Sequence, residues 1–177
     1  MRFLTCAPRW LSDMVTFVLG LSIGLALNLP TVAIAAEAEQ VERLLSTQQC
    51  PGCDLTEANL SNQDLRRANL RGADLRGANL SNSYLAETVF AEADLAGANL
   101  QGAILREANF YRANLQEANL RGANLRAAYL VAAILDNALL QTANLTEANL
   151  NGASVEGIKL KKLRLTGAVL PNGERAE

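Results

Sequence analysis

The 177-residue chain contains no histidine, and this absence excludes several kinds of active site. Histidine is the usual general base of nucleophilic triads, so a triad of that kind is ruled out. Zinc sites commonly take four Cys or His ligands, and the chain has three cysteines. A glycine-rich phosphate loop followed by lysine is also missing. We therefore expect no enzyme activity, no small-molecule substrate, no metal and no cofactor.

Strong charge of one sign is missing too, since 16 basic and 18 acidic residues give a net charge of −2. A balance this mild favours neither nucleic-acid binding nor long-range electrostatic steering. We expect any partner to be a protein, although nothing in the sequence identifies it.

One long hydrophobic run is present, at residues 14–29, and it follows Arg2 and Arg9. The small residues of the Ala-Ile-Ala segment at 33–35 suit a cleavage site, so we interpret residues 1–35 as a secretory signal peptide. Its removal would leave 14 of the 16 basic and 17 of the 18 acidic residues, a net charge near −3. The alternative is an uncleaved anchor, because this segment is about long enough to span a bilayer, and it would be the protein's one membrane contact.

The rest of the chain repeats with a period of five. Leucine recurs at every fifth position from Leu55 to Leu170, replaced only by Phe90, Phe110 and Val155, and alanine usually lies two places before it. A helix would spread residues five apart around its surface, and a strand would send successive leucines to opposite faces. The period instead predicts a chain that turns about 90° every five residues, with all the leucines inside.

Four such sides make a square coil of twenty residues, and stacked coils form a solenoid. We expect 24 central positions in six coils over residues 53–170. Phe90 and Phe110 lie twenty residues apart, so their rings should stack.

Glycine often occupies the third place of the predicted corner, as Gly72 does in Leu70–Ala73, where a type II turn requires positive φ. Asparagine tolerates this conformation and replaces glycine at several corners. We expect a corner of another type where glutamate stands there, at Glu57, Glu87, Glu92, Glu107, Glu117 and Glu147.

Residues 36–52 are predicted to cap the first coil. Residues 36–47 favour a helix that presents Val41, Leu44 and Leu45 and covers the open end of the core. Cys50 and Cys53 follow in a CPGC linker, and an exported chain would join them as a structural disulfide. A redox-active pair and two idle thiols remain alternatives.

Several outward positions carry apolar residues where the repeat is otherwise polar. Tyr84 and Ile104 should stack in one column, and Tyr111 and Val131 in another. A contiguous apolar patch would indicate a contact site. The alternative is that the repeat sequence has diverged at random, which would leave such residues scattered and without function. The candidate partner surface comprises Tyr84, Ile104, Tyr111, Tyr129, Val131, Ile134 and Leu139.

Charged side chains supply two further features. Glu87, Glu107 and Glu147 share a column, but arginines alternate with them, so we expect a solvated, salt-bridged face. The last coil is basic, and we interpret it as a C-terminal cap with a loose tail at residues 171–177. Its cations are Lys159, Lys161, Lys162 and Arg164; they are expected to be solvated, with contact to an anionic membrane surface as the alternative.

Units such as Ala78-Asn79-Leu80-Ser81-Asn82 and Ala118-Asn119-Leu120-Arg121-Gly122 resemble the A(D/N)LXX motif of the pentapeptide-repeat family. The resemblance implies a right-handed quadrilateral β-helix. Signal peptide, capping helix and CPGC together are similar to the exported pentapeptide-repeat proteins of cyanobacteria, found in the thylakoid lumen or periplasm. This implies a non-enzymatic structural or interaction scaffold. The alternatives are a DNA-mimicking, topoisomerase-binding member of the family and a thiol–disulfide protein that uses the CPGC pair.

Overall fold

The computed structural model describes residues Thr31–Glu177, which form one compact unit. It contains a helix, α1 (Thr31–Thr47), then a solenoid, and a short 3₁₀ helix (Leu160–Lys162) near its end. Residues 1–30 of the predicted signal peptide lie outside the described residues. None of the helices within Thr31–Glu177 has the length and hydrophobicity that a membrane span requires.

The solenoid is built from parallel bridges between residues twenty apart. They run from the pair Gln49 and Asn69 to the pair Asn149 and Val169. From Gln49 to Ser154 each side of the coil contributes one bridged residue rather than a longer strand, and a two-residue turn follows it. Backbone amides donate to carbonyl oxygens of the neighbouring coil at 2.7–3.1 Å. The predicted square coil with a twenty-residue register is confirmed.

The interior consists of the repeated large and small residues. The central residues from Leu55 to Leu150 are almost fully buried, and so are the alanines two places before them. The rings of Phe90 and Phe110 stack with centroids 4.9 Å apart and planes 5° apart, as predicted. Burial of each leucine contributes about 1.5–3 kcal/mol, so the core outweighs any single surface contact.

Two buried polar residues occupy inward alanine positions, Ser83 and Thr88. The Thr88 hydroxyl donates to the carbonyl of Leu65 at 2.7 Å, and the Ser83 hydroxyl donates to the carbonyl of Leu80. These hydrogen bonds remove the cost of burying the two hydroxyl groups, so the core tolerates them.

The corners correct one sequence prediction. Glycine corners have positive φ, as expected, but the glutamate corners have the same left-handed backbone, with φ between 57° and 63°. Both kinds are closed by the same four-residue hydrogen bond, from Ala73 N to Leu70 O at a glycine corner and from Ala108 N to Leu105 O at a glutamate corner. The prediction of a different corner at glutamate is wrong, because the repeated core imposes one backbone path at both kinds of corner.

The N-terminal cap begins earlier than predicted and leads directly into the solenoid. Helix α1 starts at Thr31 rather than residue 36, in an alanine-rich segment that favours helix. Leu44 is buried, as predicted. Leu45 is 40% exposed, so the prediction that it also covers the core is wrong. The side-chain oxygen of Gln40 accepts a 2.7 Å hydrogen bond from the Asp54 amide, which fixes the helix to the first coil.

The predicted linker at residues 48–52 is the first side of the solenoid. Gln49 forms a parallel bridge with Asn69, and the Cys50 amide donates to the Asn69 carbonyl at 2.9 Å. Cys50 takes the central inward position, and Gly52 forms the corner with φ of 66°. The predicted boundary at Cys53 is five residues late, because cysteine replaces leucine in this unit.

The C-terminal tail is ordered, so the prediction of a loose segment at 171–177 is wrong. Val169 and Arg175 form an antiparallel bridge, and the Ala176 amide donates to the Ala168 carbonyl at 2.8 Å. A Pro-Asn-Gly turn at residues 171–173 folds the chain back, as these residue types favour. The hairpin covers part of the edge that the last coil would leave unpaired.

Two glycine corners provide a test of this geometry. Replacing Gly72 with Ala should lower the free energy of unfolding by about 1 kcal/mol, because φ there is +64° and no atom lies near the added methyl group. Gly102→Ala should cost slightly more, since its Cβ would lie 2.6 Å from the Asn82 side-chain oxygen and this exposed side chain would have to rotate away. Urea unfolding of both variants measures the difference; a Gly72 variant that is more destabilised than the Gly102 variant would contradict the packing of these corners.

Candidate interaction surfaces

The twenty-residue register sorts the outward residues onto four faces. Face 1 carries the column that includes Asp94 and Ile134, face 2 that of Asn99 and Leu139, face 3 that of Tyr84 and Ile104, and face 4 that of Asn109 and Tyr129. The chain passes from face 1 to face 4 and back to face 1 within each coil. Tyr111 and Val131 lie at the corner where face 4 meets face 1.

The seven predicted surface residues therefore do not form one patch. Four of them gather around the corner between faces 4 and 1, and we call these the Tyr129 patch. Two others form a separate column on face 3, and Leu139 lies alone on face 2. The Tyr129 patch comprises Tyr111, Tyr129, Val131 and Ile134.

The Tyr129 patch combines stacked aromatic rings with two aliphatic side chains, the half-buried Val131 and the exposed Ile134. The ring centroids of Tyr111 and Tyr129 are 6.3 Å apart, with 30° between the planes. The Arg112 guanidinium lies over the Tyr111 ring, 5.1 Å from its centroid. Tyr129 and Ile134 are 42% and 41% exposed, respectively. The sequence prediction does not include Arg112, although it directly follows Tyr111 at the same corner.

A shallow hollow of about 470 Å³ adjoins the two tyrosines. Ala91 forms part of its wall, and an exposed ion pair between Arg71 and Glu92, 3.0 Å long, lies at its rim. An apolar and aromatic centre with a charged rim is the usual anatomy of a protein interface.

The Tyr84 column has different surroundings. Tyr84 is 50% exposed and stands with Ile104 in a groove of about 810 Å³. Arg66 binds the Asp64 carboxylate at 2.6 Å, and its hydrogen bonds hold the pKa of Asp64 below its usual value. Face 3 is therefore a mixed surface with internally paired charges, rather than a continuation of the Tyr129 patch.

Leu139 stands at the end of a polar ladder on face 2. In this ladder an asparagine donates its side-chain N–H to the side-chain oxygen of the asparagine twenty residues earlier, at 3.3 Å for Asn79 to Asn59 and 3.1 Å for Asn119 to Asn99. Such ladders stabilise stacked strands. Leu139 has no apolar neighbour within this column, so it adds nothing to the Tyr129 patch.

Two of the three glutamates in the column of Glu87, Glu107 and Glu147 form ion pairs. Arg67 binds Glu87 at 2.9 Å, and Arg126 binds Glu147 at 3.1 Å. The hydrogen bond from Arg67 lowers the pKa of Glu87, so this carboxyl group stays ionised at neutral pH. An ionised, exposed and paired carboxylate is poorly suited to act as a general acid.

Cys50 and Cys53 form a disulfide with their Cα atoms 5.4 Å apart. Both residues are buried, Cys50 completely. Thiol exchange requires access to a sulfur atom, so this position argues against redox catalysis by the pair. Within Thr31–Glu177, no group of three or more Cys, Asp, Glu or His side chains could hold a metal ion.

The four predicted basic residues lie at the C-terminal end. Lys161 and Lys162 belong to the 3₁₀ helix, Lys159 precedes it, and all three are exposed. Arg164 follows on face 3, where it forms a bridge with Asn144.

Comparison with known proteins agrees with the solenoid. The family described as "Pentapeptide repeats (8 copies)" matches residues 53–90, 88–126 and 123–161. A search of curated protein sequences gives no significant match.

Three solved structures illustrate the similarity. A pentapeptide repeat protein (Rfr23) of the cyanobacterium Cyanothece 51142 is 31% identical over 64% of this chain and 94% of its own, with a TM-score of 0.37. HetL of Nostoc sp. strain PCC 7120, involved in heterocyst differentiation regulation, is 24% identical over 78% of this chain and 98% of its own, with a TM-score of 0.46. A pentapeptide repeat protein from the Arabidopsis thaliana thylakoid lumen is 37% identical over 55% of this chain and 65% of its own, with a TM-score of 0.33.

The family match covers more than half of the chain, and the square coil with its inward leucines accounts for the match physically. The chain belongs to the pentapeptide-repeat family, and its fold is the right-handed quadrilateral β-helix of that family.

Proposed function

We propose that the protein is an exported, non-enzymatic scaffold of the thylakoid lumen or periplasm, and that it holds a protein partner against the Tyr129 patch. The observation that carries the proposal is the stacked pair Tyr111 and Tyr129, with Arg112 packed on the Tyr111 ring, at one corner of the solenoid. Tyrosine and arginine are among the residues that contribute most to binding at protein interfaces.

The solenoid suits the role of a docking scaffold because it is rigid. Every coil is hydrogen-bonded to its neighbours and filled by buried side chains, so the faces keep their shape without a partner. A preorganised surface loses little conformational entropy when it binds. The Tyr129 patch lies beyond the middle of the solenoid and away from both capped ends.

The two alternatives from the sequence fit less well. A DNA mimic needs a continuous negative surface, whereas here arginines interrupt the carboxylates, in pairs such as Arg67 with Glu87 and Arg126 with Glu147. A thiol–disulfide protein needs an accessible sulfur atom, and Cys50 is completely buried.

The docking role predicts a face-specific loss of binding. Cross-linking of the tagged protein inside its own compartment, followed by quantitative mass spectrometry, identifies the partner; its affinity is then measured by calorimetry. Tyr129→Ser combined with Val131→Ser should weaken this affinity by roughly tenfold or more, because it removes part of the apolar centre.

A matched control removes two apolar residues from other faces, Tyr84→Ser with Leu139→Ser. This control should keep the wild-type affinity for the partner. Equal affinity of the partner for both double variants and the wild type would contradict docking at the Tyr129 patch.

Export makes a separate prediction. When the full chain is expressed in a cyanobacterial host, it should leave the cytoplasm and lose residues 1–35, so that its first residue is Ala36. Replacing Ala33 and Ala35 with Lys should block this cleavage while the chain still folds. Intact-mass measurement of the fractionated protein checks both points; an unprocessed chain in the cytoplasmic fraction would contradict export.

A further inference from the structure

Charge is distributed unevenly along the solenoid. Residues 36–157 contain nine basic and 15 acidic side chains, whereas residues 158–177 contain five basic and two acidic ones. The overall balance hides this difference, since the whole chain has a net charge of −2. Taken as a whole, the segment 36–157 is therefore net acidic, and the C-terminal end is net basic.

The basic end has a distinct backbone. The bridge column of face 2 stops at Leu139, and the 3₁₀ helix Leu160–Lys162 takes the place of the next side. This change of path makes a turn that presents Lys159, Lys161 and Lys162 to solvent. Among the described residues, none of the three ammonium groups lies within 4.0 Å of a carboxylate.

Apolar side chains lie beside these cations. Ile158, Leu160 and Leu163 are only partly buried, in contrast to the central residues of the earlier coils. A hollow of about 480 Å³ lies between Ile158, Leu160 and the three lysines. The end of the hydrophobic core is thus incompletely covered and is bordered by positive charge.

We infer that this basic turn docks on an anionic lipid bilayer surface. Clusters of lysine are attracted to negatively charged headgroups, and the long lysine stems can lie along apolar material while their charges stay at the interface. Ile158 and Leu160 supply apolar surface for shallow contact with the acyl region. The acidic body of the rod is repelled by the same surface, so the rod contacts the bilayer through its C-terminal end.

The side chains favour a lipid surface over other polyanions. Single-stranded nucleic acid is held in a basic groove with aromatic rings for base stacking, and the turn has no aromatic residue. An acidic protein would match the lysines but would need a shape complementary to the hollow. A fluid bilayer matches both the charges and the apolar hollow without a preformed fit.

The test compares partition of the full chain into vesicles of phosphatidylcholine and vesicles of equal parts phosphatidylcholine and phosphatidylglycerol. The quantity measured is the ratio of the two partition coefficients, so that any contribution of residues 1–30 is common to all variants. Each cation near an anionic surface is worth about fivefold in affinity. The variant with Lys159→Gln, Lys161→Gln and Lys162→Gln should therefore lower the ratio by about 100-fold.

A matched control removes three cations elsewhere, through Arg106→Gln, Arg121→Gln and Arg126→Gln, and should leave the ratio nearly unchanged. Hydrogen exchange of the peptide that covers 158–165 should slow with phosphatidylglycerol vesicles in the wild type, and high salt should reverse this effect. Equal losses in both triple variants, or no preference of the wild-type protein for phosphatidylglycerol, would overturn the inference. Preferential binding of an acidic protein without any lipid preference would overturn it too.

Discussion

The large central side chains of successive coils pack directly on one another, and this stacking determines the register of the coils, the path of the corners and the position of every outer residue. The nearly parallel rings of Phe90 and Phe110 show this packing directly. Because one side of the square holds five residues, each column advances by twenty, and a residue inserted or lost would move the following leucines out of the core. The corners follow from this constraint, since glycine, asparagine, arginine and glutamate all adopt the same left-handed backbone there.

The same stacking leaves the outer surface free to vary. Outward positions hold asparagine ladders, ion pairs or tyrosines without any change in the interior, so function depends on where the outer residues depart from the polar pattern. The Tyr129 patch and the basic turn are two such departures, one on the side of the rod and one at its end. The proposed functions of these surfaces are compatible, because a rod held at its end leaves its sides open to a protein partner.

The sequence predicts the interior well and the ends poorly. A strict period fixes the direction of Leu80 and Phe110 because every coil of the core depends on the same register. At each end there is no further coil to impose the repeat, so the local sequence determines the structure. Cys50 replaces leucine in the first side, and a Pro-Asn-Gly turn folds back the tail. The sequence predicts the candidate surface only in part, since the repeat gives the sides on which Tyr129, Ile134 and Leu139 lie, but not that Arg112 packs on the Tyr111 ring.

Removal of one complete coil tests the central claim, the twenty-residue register, most directly. Deletion of residues 116–135 joins Leu115 to Asp136 and keeps every later leucine in the core, so this variant should unfold cooperatively by circular dichroism at a moderately lower temperature. Deletion of residues 116–133 removes less of the chain but shifts the later leucines by two places, and it should abolish or severely weaken cooperative unfolding. Equal stability of the two deletion variants would contradict the account.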